Sequence, residues 1–126
     1  MKSQLMYVEL KTGYSDDGPA WIGMAFFSKT GKSIYFNGLP FSKGNRSGGN
    51  YYDNINGQYY WISGIKKRGS NRHWAGHGKI KIDKNVVDQY LTITERLNLP
   101  ANRFEIVELN NNPPVEKFNE MENEKF

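Results

Sequence analysis

From Leu5 to Lys11 the side chains alternate, with Leu5, Tyr7 and Glu9 on one side and Met6, Val8 and Leu10 on the other, the period of two that defines a strand. The same period predicts strands over 21–27, 32–36, 39–41, 51–53 and 58–67. In 58–67 both faces are apolar, Tyr59, Trp61 and Ile65 against Tyr60 and Ile62, so this strand is expected to be central or strongly curved. Segment 72–82, bent at Gly76 and Gly78, is expected to return as its hairpin partner after a turn at 68–71. A further strand is expected over 103–109.

Turn chemistry separates these runs. Asp17-Gly18-Pro19 cannot continue a ladder, 28–31 reads as a hairpin turn, and Asn37-Gly38 and Asn56-Gly57 carry the residues that tight turns with positive φ require. Segment 42–50 has three glycines and no apolar residue, and reads as a surface loop. The one helical period lies over 86–97, where Val86, Val87, Tyr90, Leu91 and Leu97 fall near one face, with Asp83 or Asn85 as cap and Pro100 as stop. Many short strands followed by one helix predict a mainly β fold: a small, partly open, SH3-like or bent-sheet β-barrel capped by the helix. Residues 1–109 are expected to form a single domain, and 110–126 a disordered acidic tail.

Composition narrows the chemistry. The chain has 126 residues, enough for one core, and 14% of them are aromatic, which favours sheet over helix bundle. Absence of cysteine excludes disulfides, thiolate metal sites and cysteine nucleophiles. No apolar run has the length of a signal peptide or membrane span, so a cytoplasmic location without membrane contact is expected. The net charge is +4, and because residues 116–126 hold four Glu against two Lys, the rest of the chain carries +6. Between Ile62 and Lys84 stand seven cations, Lys66, Lys67, Arg68, Arg72, Lys79, Lys81 and Lys84, against Asp83 alone. An anionic partner is the natural reading of such a segment.

Cations that neutralise phosphates and rings that stack on bases occur together in this segment. The residues expected to bind nucleic acid or another anion are Arg46, Lys66, Lys67, Arg68, Arg72, His73, Trp74 and Lys79, with Tyr52 or Tyr60 as further stacking rings. No metal site is expected: His73 and His77 are four apart, which on a strand separates them by about 13 Å, too far for one ion. No cofactor motif is present either. Thr30-Gly31-Lys32-Ser33 resembles the end of a phosphate-cradling P-loop, but Phe26 stands where its first glycine must be. The carboxylates Glu9, Asp53 and Asp83 are scattered, so no catalytic set can be named.

Several motifs together, Gly18-Pro19-Ala20-Trp21-Ile22-Gly23, Ser28-Lys29-Thr30-Gly31-Lys32, Tyr60-Trp61-Ile62-Ser63-Gly64-Ile65-Lys66-Lys67 and Arg72-His73-Trp74-Ala75-Gly76, resemble a family of short bacterial proteins that often carry the label deoxyxylulose-phosphate synthase. The label does not fit this chain, because that enzyme is several times longer and binds thiamine diphosphate through Gly-Asp-Gly, which is absent here. The resemblance implies kinship and no activity. The sequence therefore favours a non-enzymatic module for single-stranded nucleic acid. An immunity or regulatory domain docking an acidic protein is an alternative, as is a small enzyme holding a phosphorylated substrate through Arg72 and His73.

Overall fold

A computed structural model of the protein describes residues 2–11, 18–44, 49–67 and 78–111. Eight strands run in chain order: β1 (Lys2–Leu10), β2 (Ala20–Phe27), β3 (Ser33–Phe36), β4 (Leu39–Lys43), β5 (Tyr51–Asp53), β6 (Tyr59–Gly64), β7 (Ile80–Asp83) and β8 (Phe104–Val107). A single α-helix, α1 (Val87–Thr94), follows a 3-10 turn over Lys84–Val86. The sheet order is β1-β6-β5-β4-β3-β2-β7-β8, and β1 also pairs with β2 along its length, from Lys2 opposite Phe27 to Glu9 opposite Ala20. That last pairing closes β1 to β6 into a six-strand antiparallel barrel. The expected mainly β barrel with one helix is thus what forms, with a complete ring.

Alternation dictates which side chains fill the ring. Met6, Val8, Ala25, Ile34, Phe36, Phe41, Tyr60 and Ile62 point inward from five of the six strands and pack with Leu109. The opposite face of β1 and β2 is buried as well: Leu5, Tyr7, Ala20 and Ile22 pack with Ile80, Ile82, Val86, Tyr90 and Phe104 from β7, the helix and β8. This is why residues 5–9 of β1 are all buried. The helix therefore covers the outer side of the β1–β2 ribbon instead of entering the barrel.

Two expectations fail in instructive ways. The predicted hairpin between 58–67 and 72–82 does not exist among the described residues: β6 pairs with β1 and β5, which occupy both its edges, and β7 lies parallel to β2 and β8. β2 offers the vacancy, because β3 takes only its Phe26–Phe27 end and leaves Ala20–Ile22 to β7. Where β3 and β7 part, Leu109 fills the wedge, and a Cβ on Gly23 would stand 2.8 Å from its Cδ1. The helix also ends earlier than its pattern implied. Glu95 turns left-handed at φ 57°, leaving Leu97 98% exposed.

Local chemistry otherwise follows the sequence. Asn37 and Gly38 take φ of 51° and 77°, the geometry of a two-residue hairpin turn, and Asp83 caps the 3-10 turn by accepting from the Asn85 backbone N–H at 3.2 Å. Ordered contacts extend past 109, since Asn110 donates its N–H to Asn37 Oδ1 at 2.9 Å and Asn111 Nδ2 donates to Asp83 Oδ2 at 2.8 Å. Residues 112–126 lie outside the described part of the chain.

Candidate nucleic-acid interface

In an antiparallel ring, successive connections lie at alternate ends. The start of β1, the β2–β3 turn, the β4–β5 connection and the exit from β6 therefore share one end, and the β1–β2, β3–β4 and β5–β6 connections share the other. The first end carries Lys2, Lys29, Lys32, Lys43, Lys66 and Lys67, and segments 2–4, 27–33, 43–51 and 64–67 contain no Asp or Glu. Direct contacts bring several of these segments together. The Lys43 N–H donates to the Lys32 carbonyl at 3.0 Å, Lys2 and Lys29 line one cleft, and a Cβ on Gly64 would stand 4.0 Å from Gln4 Nε2. Among the described residues Lys2, Lys29, Lys32 and Lys43 form no ion pair.

The residues singled out from the sequence divide. Lys66 and Lys67 lie at this end, where Lys67 Nζ stands 3.8 Å from Glu95 Oε1, both side chains two-thirds exposed. Such a solvated pair holds its partners weakly. Lys79 lies at the opposite end, just before Ile80, which pairs beside Ala20 at the start of β2. Register separates Lys66 from Lys79 by roughly six residues of strand, about 20 Å. Lys81 is turned to Trp21, its Nζ 5.8 Å from the ring centre, and Lys84 pairs with Glu108 at 3.3 Å. Arg46, Arg68, Arg72, His73 and Trp74 lie outside the described residues. Lys2, Lys29, Lys32 and Lys43 escaped sequence reasoning because they are spread over three separate segments, none of which holds a cluster of cations to mark it.

The aromatic residues also sort by face. Tyr60, named as a stacking ring, is 5% exposed inside the barrel, edge-on to Phe41 at 4.9 Å between centroids, so it cannot meet a base. Its neighbours point outward. Tyr52 and Tyr59 sit across from one another, 6.1 Å apart, and Trp61 is 44% exposed on the same side of β6. Both tyrosine rings crowd Gly44 at the start of the β4–β5 connection, where a Cβ would stand 3.3 Å from Tyr52 Cδ1. An aromatic surface thus adjoins the lysine-bearing end.

Among the described residues the three buried carboxylates serve different partners: Glu9 accepts from the Tyr7 hydroxyl and pairs with Lys11 at 2.9 Å, Asp53 accepts from the Ile55 N–H at 2.7 Å, and Asp83 caps the 3-10 turn. Among the described residues no three His, Cys, Asp or Glu are grouped so as to hold a metal ion, and no helix is long and apolar enough to cross a membrane. No family model matches the chain, and comparison with curated proteins and with solved structures finds no match. The resemblance to short bacterial proteins rests on its motifs alone.

Proposed function

We propose that the protein is a small non-enzymatic binding module for single-stranded nucleic acid, engaged at the lysine-bearing end of the barrel. One observation carries the reading: six lysines from four separate chain segments lie at one end, in segments without a single acid. Phosphates are the ligand groups that several solvated ammoniums attract together, and releasing their counterions drives association. The outward-facing, half-buried rings of Tyr52 and Tyr59 and the exposed ring of Trp61 supply flat surfaces for unpaired bases, which a duplex keeps stacked internally.

The test is fluorescence anisotropy with a labelled single-stranded oligonucleotide across a salt series. Engaging about four phosphates gives a logarithmic salt slope near −3, or roughly a 50-fold loss of affinity between 50 and 200 mM salt. Reversing charge at Lys32→Glu with Lys43→Glu is expected to weaken binding at least tenfold. Reversal at the other end, Lys79→Glu with Arg103→Glu (Arg103 precedes Phe104, which pairs with Ile80), is expected to leave it within about threefold. No binding at low salt, or equal losses from the two double variants, defeats the proposal.

A further inference from the structure

The lysine-bearing end contains a cleft of about 330 Å³ between the start of β1 and the β2–β3 turn, lined by Lys2, Gln4, Phe27, Ser28, Lys29 and Thr30, with Gly31 at its edge. We propose that this cleft is a pocket for one phosphorylated nucleotide, either a free mononucleotide or the phosphorylated end of a strand. Its size falls at the low end of small-molecule sites, which suits one nucleotide and excludes a longer segment.

The turn that forms one wall is held in shape by its own hydrogen bonds. The Gly31 N–H donates to the Ser28 carbonyl at 3.0 Å, the Ser28 N–H to the Ser33 carbonyl at 3.0 Å, the Lys32 N–H to Thr30 Oγ1 at 3.2 Å and the Ser33 N–H to Ser28 Oγ at 3.2 Å. Gly31 adopts φ +75°, and no atom lies within 4 Å of the place a Cβ would take, so the approach over the turn is open. Lys2 and Lys29 belong to segments far apart in sequence and are brought to one cleft by the β1–β2 pairing, which sets Lys2 opposite Phe27. Both are exposed and neither is ion-paired among the described residues. A phosphate monoester, carrying nearly two charges near neutral pH, is matched in charge by the two lysines that line the cleft.

The other wall argues for more than a bare anion. Phe27 is half-buried and contributes a ring to the lining, and the Gln4 amide offers both a donor and an acceptor, the two functions needed to recognise a base edge. The choice of a nucleotide over other phosphate esters rests in part on the nucleic-acid reading, whereas the phosphate site rests on the cleft alone.

Amide chemical-shift titrations of the full chain separate the two. Inorganic phosphate, a nucleoside monophosphate, and one oligonucleotide with and without a 5′-phosphate serve as probes. The nucleoside monophosphate is expected to move the resonances of Gln4 and of Phe27 to Lys32, and to bind at least fivefold more tightly than inorganic phosphate. Lys2→Ala with Lys29→Ala should weaken it about tenfold and abolish any preference for the 5′-phosphorylated over the 5′-hydroxyl oligonucleotide, whatever the variant's overall loss of oligonucleotide affinity. A greater than threefold preference for the 5′-phosphorylated oligonucleotide identifies a strand end as a ligand, and its absence alongside mononucleotide binding identifies the free nucleotide. Equal affinity for phosphate and nucleotide, or no response in these resonances at millimolar ligand, overturns the pocket. Oligonucleotide binding with a silent cleft would defeat this inference alone, and nucleotide binding without oligonucleotide binding would defeat the nucleic-acid proposal alone.

Discussion

Asn50 offers the sharpest test of how the lysine-bearing end is built. Its Nδ2 donates to the Ile62 carbonyl at 2.7 Å and its Oδ1 accepts from the Ile62 N–H at 2.8 Å, so the amide side chain pairs with β6 as a backbone peptide would. The Asn50 N–H also donates to the Tyr60 carbonyl at 3.1 Å. Asn50→Ala deletes both side-chain bonds and strands two backbone groups of Ile62, a residue only 3% exposed. At about 1 kcal/mol per net bond, with a further penalty for the stranded groups, the loss should be about 3 kcal/mol. Urea denaturation followed by tryptophan fluorescence should show a lower midpoint with an unchanged slope, and Tm should fall by roughly 10–15 °C. Asn50→Asp keeps the acceptor but sets a carboxylate oxygen against the Ile62 carbonyl. Protonation restores a donor there, so the folded-state pKa of that Asp is raised. Its deficit relative to the wild type should shrink as pH falls toward 4 and be largest at neutral pH. A loss below about 1 kcal/mol for Asn50→Ala would refute the idea that the side chain acts as a strand.

Two further predictions concern buried polar groups. The Ser33 hydroxyl is fully buried and has no hydrogen-bond partner among the described residues, so Ser33→Ala should be neutral or stabilise the fold by up to about 1 kcal/mol; thermal melts showing a clear loss would count against this. Burial raises the pKa of Tyr51, Tyr60 and Tyr90 above the ordinary value of 10.0, with the Asp53 charge adding to the effect at Tyr60 and Arg96 partly opposing it at Tyr90. A raised folded-state pKa contributes stability that is complete below pH 10 and disappears as pH rises through the folded values. Tyrosinate absorbance at 295 nm should therefore show a late-titrating fraction accompanied by loss of stability. Uniform titration of all eight tyrosines near pH 10 with the fold intact would contradict it.

Most strands were legible because their signals are local. Val8 and Ile62 declare a strand by alternation, and Asn37-Gly38 declares its turn because few other pairs tolerate positive φ twice in succession. Pairing partners were not legible in the same way. Segment 72–82 looked like a hairpin partner for 58–67 on proximity alone, but edge occupancy decides that question, and β1 and β5 had already taken both edges of β6. Tyr60 was misjudged for a related reason: with Tyr59 and Trp61 beside it, either face of β6 could have been the inner one. Only closure of the ring, which buries the side bearing Tyr60 and Ile62, chose between them.

The same distinction governs the candidate site. Sequence clustering drew attention to 62–84, whose described cations point to both ends of the barrel and, in Lys81 and Lys84, to Trp21 and Glu108. The lysines that gather are spread from Lys2 to Lys67, joined by the up-and-down order of the strands. Alternate connections of an antiparallel ring share an end, so counting charge over every second turn would have found them once the topology was known.

By itself, the sequence determined the mainly β character, the turns and the single helix, because alternation, φ preference and capping act over a few residues. Tertiary structure alone decided that the barrel closes, that Tyr60 is core, and that Lys2, Lys29, Lys32 and Lys43 share an end with Lys66 and Lys67. Those outcomes depend on which strand edges meet, and edge pairing is settled by contacts between residues far apart in the chain.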